Sequence, residues 1–179
     1  ALSRLRLRPV MLSLLTSRFL RSGEFLHQSG ESKPMSVKIK SKTAVVSKAP
    51  YELYMVFTDM SNFVRFLPEE KKADVTADFD SLHATVQGFS IGVRITDRVP
   101  YSRIDFADDG APFKFALSMH FDASSDPYRT NYHISLDADL NFMMKTLLGS
   151  KLQDALDKIV DAIAAMSEGR VPEGIDPSM

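Results

Sequence analysis

His120 and His133 are the side chains of this sequence best placed to act as a pair. Each stands in a run that alternates polar and apolar residues, FKFALSMHFD over 113–122 and NYHISLDADL over 131–140. On neighbouring strands the two imidazoles would face each other, but both share parity with the polar residues and so project away from the core as exposed surface groups. His83 alternates with Leu82 and Ala84 in the same way, and His27 lies in a basic N-terminal segment. Two imidazoles are too few for a metal centre, which needs three or four converging ligands, and no carboxylate–histidine spacing on one helix face supplies the rest. No metal and no cofactor are expected.

The remaining chemistry is thin. Asp137 and Asp139 share a strand face, as do Arg103 and Asp105, and these are solvent-side positions that keep a sheet soluble. Asp108-Asp109-Gly110 is a turn signal. The chain has no cysteine, hence no thiol nucleophile, thiolate metal site or disulfide framework, and it holds no glycine-rich phosphate loop and no serine elbow. Tyr54, Tyr101, Tyr132 and Arg94 are the polar side chains able to reach an interior and orient a ligand oxygen, though structural hydrogen bonding accounts for each as well. No catalytic residue is assigned.

The elements that would position these residues follow from periodicity. Val37, Ile39, Ser41, Thr43 and Val45 alternate with Lys38, Lys40 and Lys42, which predicts a half-buried strand with a lysine face. Pro50 suits a first helical position, and Leu53, Val56, Phe57 and Met60 recur at helical spacing. Asp59 then caps a second short helix ending at Pro68, which carries Phe63, Phe66 and Leu67. Beyond it, alternation broken by turn signals at 78–81, near Pro100, at 108–110 and at 124–127 predicts a meander of antiparallel strands, each with one apolar face. From Phe142 to Glu168, Leu148, Leu152, Leu156, Ile159, Ile163 and Met166 step by three and four opposite Gln153, Asp154, Asp157, Lys158 and Asp161, which predicts one long amphipathic helix covering the sheet.

Composition fits one globular domain. The chain has 179 residues, 44% hydrophobic and 25% charged, and its formal net charge of −1 supplies no basic field for nucleic acid. Residues 1–34 read as a non-globular leader, rich in arginine and serine and acid-poor through residue 23. They are either sequence upstream of a true start at Met35 or a mitochondrial targeting segment, and they lack the length of apolar run needed to span a membrane. The expected compartment is cytoplasmic, or mitochondrial if the leader is a presequence. The folded unit is expected over 35–168, with 169–179 as a flexible tail.

The order strand, two short helices, antiparallel strands and long C-terminal helix resembles the SRPBCC superfamily, also called START-like or helix-grip proteins, and its small bacterial polyketide cyclase-like members. The residues carrying the likeness are Ala49-Pro50-Tyr51-Glu52, the segment from Asp59 to Pro68, Gly88-Phe89-Ser90-Ile91-Gly92, Ala111-Pro112-Phe113-Lys114-Phe115, and Ala138 to Lys145 with Lys151-Leu152 behind it. The resemblance implies an α+β helix-grip fold, in which a curved seven-stranded antiparallel sheet wraps a long C-terminal helix over a cavity for apolar ligands. Phe63, Phe66 and Leu67 would then close one end. The inward residues Phe79, Val86, Ile91, Val93, Phe106, Phe115, Leu117, Tyr132, Ile134, Leu136, Met144, Leu148 and Leu152 would line the cavity. Binding or carriage of an apolar small molecule or lipid without catalysis is the leading expectation. A polyketide cyclase or dehydratase, and a protein-partner-binding or coenzyme Q-binding START-like protein, are the alternatives. Ligand identity and oligomeric state are not fixed by the sequence.

Overall fold

A computed structural model of the chain describes residues 35–65, 67, 69–86 and 88–170. The expectations for residues 1–34, Phe66, Pro68 and 171–179 lie outside the described residues, as does the side chain of Val86.

The element order is β1 (Met35–Lys40), β2 (Ala44–Val46), α1 (Pro50–Phe57), α2 (Ser61–Arg65), α3 (Glu69–Lys72), β3 (Val75–Ala77), β4 (Ser81–Val86), β5 (Phe89–Val99), β6 (Arg103–Asp108), β7 (Phe115–Ala123), β8 (Thr130–Leu140) and α4 (Phe142–Ser167). All strands among the described residues join one antiparallel sheet in the order β1-β8-β7-β6-β5-β4-β3, with β2 continuing along the same edge of β8 as β1. The expected first strand is therefore present but broken. At the break the Ser41 backbone N–H donates to the Ile134 carbonyl at 2.8 Å, and the Ser41 hydroxyl oxygen accepts from the Ile134 N–H at 2.8 Å. The serine side chain takes the place of a backbone carbonyl, and the pleat changes phase. Ala44 and Val46 turn inward while Val45 is exposed, reversing the position that unbroken alternation gave Val45. An eight-strand count and seven sheet positions are thus the same architecture.

Local chemistry fixes the connections. Pro50 opens α1, where Glu52 Oε2 accepts from the Ala49 N–H at 2.8 Å, and Asp59 Oδ1 accepts from the Ser61 N–H at 2.9 Å at the start of α2. Asn141 Oδ1 caps α4 by accepting from the Met144 N–H at 2.8 Å. In the β3–β4 turn Asp78 Oδ1 accepts from the N–H groups of Asp80 and Ser81, which holds its carboxyl below the usual carboxylate range. A bulge between Ile95 and Asp97 brings Arg98 opposite Ile104. The Arg98 guanidinium then donates to the Thr58 carbonyl at 2.9 Å and to Asp80 at 2.7 Å, tying the end of α1 to the β3–β4 turn.

The core lies between the concave face of the sheet and the helices. Ile104, Phe106, Phe121, Tyr132 and Ile134 are buried there beside α1, whose Phe57 stacks at 6.2 Å from both Phe121 and Tyr132. From α4, Leu156, Val160 and Ile163 are buried, whereas Ile159 and Met166 of the expected stripe are 43% and 39% exposed. The buried line is rotated toward Val160 relative to the expected one.

Candidate functional site

The long helix does not cover the whole sheet. It packs on β1, β2 and β8, α1 packs on β6 and β7, and α2 packs on β3. The orientation of α4 is set by one polar flank. Gln153 Nε2 donates to the Lys40 carbonyl at 2.9 Å, Asp157 Oδ1 accepts from the Lys42 N–H at 2.7 Å, and Asp161 pairs with the Lys42 ammonium. These three residues, spaced by four, bind the helix to the β1–β2 edge. Asp157 and Asp161 were expected to face only water, and the structure gives both a structural task. At about 3.6 residues per turn, the flank opposite them carries Met144, Leu148, Leu152 and Ile159, which therefore turn toward the middle of the sheet.

The inner face of the sheet continues beyond the strands that α4 packs on, onto β7, β5 and β4. Register places Leu82 opposite Val93, Ala84 opposite Ile91, and Leu117 opposite both Phe106 and Leu136. Leu82, Val93, Phe115 and Leu117 are half-buried, and Ile91 is 38% exposed. Met144, Leu148 and Leu152 of α4 are half-buried too. Phe63 and Leu67 are half-buried, with the Phe63 ring 5.3 Å from that of Phe57. Apolar side chains on both α4 and the inner face of the sheet are thus left partly exposed.

The expected lining residues divide by this geometry. Phe63, Leu67, Val93, Phe115, Leu117, Met144, Leu148 and Leu152 are half-buried, and Ile91 is 38% exposed. Phe106, Tyr132, Ile134 and Leu136 share the concave face but are buried in the packed core, the first three at 2% exposure or less. Phe79 joins neither group. It is 54% exposed in the β3–β4 turn, with the Arg98 guanidinium 4.5 Å over its ring.

The polar candidates are redistributed as well. Tyr132 is fully buried among Phe57 and Phe121, its hydroxyl has no hydrogen-bond partner, and burial pushes its pKa far above the ordinary phenol range. Tyr54 is buried edge-on to the exposed Tyr101, ring centroids 5.4 Å apart. Arg94 is on the outer face, where its Nη2 and the His83 Nε2 both reach Asp109 Oδ2, at 3.1 Å and 2.9 Å. Asp108 is the polar side chain that turn chemistry concealed. Two residues beyond Phe106 on the same face, its side chain is only 9% exposed, and it accepts from the Phe115 N–H at 3.3 Å and the Lys114 ammonium at 3.1 Å. The alternation Ile104, Phe106, Asp108 was the available signal, hidden because Asp-Asp-Gly reads as a turn.

His120 and His133 do face each other on the outer side, with rings 4.4 Å apart and 6° from parallel. His133 is buried rather than exposed, and burial lowers the basicity of both imidazoles. A depression of about 340 Å³ adjoins them, floored by Ala116, Ser118 and Ser135 between Lys38, Lys40 and Asp137. Its lining mixes charged and small side chains with Ile39 and Leu136. The partly exposed apolar side chains of α4 and of the sheet's inner face are the candidate site. Among the described residues no group of three or more potential ligands converges on a metal position. None of the described helices is long and apolar enough to cross a membrane.

Comparison with solved structures places the fold. A protein of Rhizobium loti matches with a TM-score of 0.57 at 14% identity, over 73% of this chain and 96% of its own. Truncated norcoclaurine synthase from Thalictrum flavum matches with a TM-score of 0.58 at 9% identity, over 76% of this chain and 96% of its own. A START superfamily protein from Mycobacterium smegmatis matches more loosely, with a TM-score of 0.47 at 16% identity, over 72% and 98%. No protein-family model and no curated protein sequence matches the chain. The chain has a helix-grip fold, shared with the Rhizobium loti protein and norcoclaurine synthase.

Proposed function

We propose that the chain binds an apolar small molecule or lipid in the cleft between α4 and the concave face of the sheet, and carries it without transforming it. The observation that supports this reading is that apolar side chains remain exposed on both elements, Ile91 on the sheet at 38% and Ile159 on the helix at 43%. A helix packed down on the sheet would bury such side chains against each other. A ligand between them would remove that surface from water at about 25 cal/mol per Å², a gain the chain does not obtain alone.

The test is titration with an apolar fluorescent probe. Leu117→Trp and Leu152→Trp should each abolish probe binding while the melting temperature holds, because a cleft wall has room for a larger ring. Binding that survives both changes would remove the site from this cleft.

A second reading rests on Asp108, a carboxylate on the concave face at the Phe115 end of the cleft. Paired with Lys114, it could hold or move a proton at a bound molecule, as a cyclase or dehydratase requires. Asp108→Asn would then abolish turnover of a bound polyketide-like substrate and leave probe affinity intact. Under the carrier reading it changes neither the bound molecule nor its affinity.

A further inference from the structure

We infer that the Phe142 end of α4 docks on an anionic lipid bilayer. Phe142, Met143 and Leu147 are 68%, 72% and 63% exposed, so the first two turns are apolar on the solvent side as well as on the cleft side. Isolated exposed apolar residues are ordinary, but three on adjacent turns beside a cleft form a patch.

The charge pattern identifies the partner. From Phe142 to Gln153 the helix contains Lys145 and Lys151 and no acid, whereas from Asp154 to Ser167 it contains three aspartates and one lysine. A helix stabilises acids near its N-terminus and bases near its C-terminus, and here the first turn has no acid and the last turn no base. Lys145 thus sits near the end where the helix dipole least favours a cation. An aromatic and aliphatic tip flanked by lysines suits the boundary between headgroups and acyl chains of a bilayer with negative lipids. The patch continues into the cleft through Met144 and Leu148, so a docked chain would present the cleft to the membrane. A cleft-borne ligand gives that docking its use, so the purpose rests on the carrier reading, while the surface itself does not.

Flotation of the full chain with phosphatidylcholine vesicles, with and without phosphatidylserine, tests the docking. The chain should float with the phosphatidylserine vesicles at low salt. Phe142→Ser combined with Leu147→Ser, and separately Lys145→Glu combined with Lys151→Glu, should each weaken that binding about tenfold or more without lowering the melting temperature. Leu117→Trp should keep vesicle binding while losing the apolar probe, which separates docking from cargo. The inference is overturned if no vesicles are bound, or if both double variants bind as the parent does. It is also overturned if the chain dimerises in sedimentation without lipid and Phe142→Ser with Leu147→Ser dissolves that dimer, since the occupant would then be a second copy.

Discussion

The imidazoles of His120 and His133 lie in parallel stack across β7 and β8, 4.4 Å between ring centres. His120 Nε2 is 3.0 Å from the Ser135 hydroxyl, and His133 Nδ1 is 3.4 Å from Asp122 Oδ2. Asp122, Asp105, Arg103 and Lys40 are the charged groups around the pair. Burial is the main cause of the lowered basicity in both rings, and His120 adds to it for His133.

Because both folded-state values lie below the ordinary 6.5, the unfolded chain binds more protons as pH falls through that region. Stability should be fully present above about pH 6.5 and decline below it. Urea midpoints measured between about pH 5.5 and 7.5 should fall on acidification in the parent, and this slope should flatten in the double variant His120→Phe, His133→Phe. An unchanged slope would show that the pair does not titrate with folding.

On α4, Leu156→Ala should cost about 2 to 5 kcal/mol as a core truncation, and the half-exposed Ile159→Ala clearly less. Asp154→Ala, on the exposed side, should cost under about 0.5 kcal/mol. Asp157→Ala should cost about 1 kcal/mol, since it removes the acceptor for the Lys42 N–H. Thermal or urea unfolding of the four variants gives the order directly, and equal losses at Leu156 and Ile159 would reverse the assigned helix face.

That helix shows what a sequence reveals and where it stops. Its existence and apolar character were legible because leucines and isoleucines recur at three and four. Its rotation was not, because Ile159 and Val160 are both apolar and periodicity cannot choose between adjacent candidates. The contacts that decide are those of Asp157 and Asp161 with Lys42, residues more than a hundred positions away. Strand faces were legible over 113–123 and 130–140 for the same reason. Alternation was misleading at Ser41, where a side chain replaced a carbonyl, and at Phe79, where an apolar residue in a turn found a guanidinium instead of the core.

Gly92 should tolerate no side chain. An added Cβ would lie 1.8 Å from the Asp109 carbonyl oxygen and 2.6 Å from His83 Cδ2, and the Asp109 N–H donates to the Gly92 carbonyl at 2.9 Å. Backbone on one side must shift, so Gly92→Ala should cost about 1 to 3 kcal/mol and lower the melting temperature. An unaltered melt would mean that the 109–110 connection moves aside freely.

Overpacking distinguishes the packed core from the proposed cleft, which share one face of the sheet. Ile134 is 1% exposed, whereas Leu117, on the next strand and the same face, is half-buried. Tight packing leaves no space for a larger ring at Ile134, so Ile134→Phe should lose about 1 to 3 kcal/mol. Leu117→Phe should lose under about 0.5 kcal/mol if the proposed cleft has room for its ring. The two variants add aromatic bulk at apolar positions of one concave surface, so the difference between their urea midpoints reports local room rather than chemistry. Equal losses at the two positions would mean that the helix and sheet close on each other in solution and that no ligand-sized space exists between them.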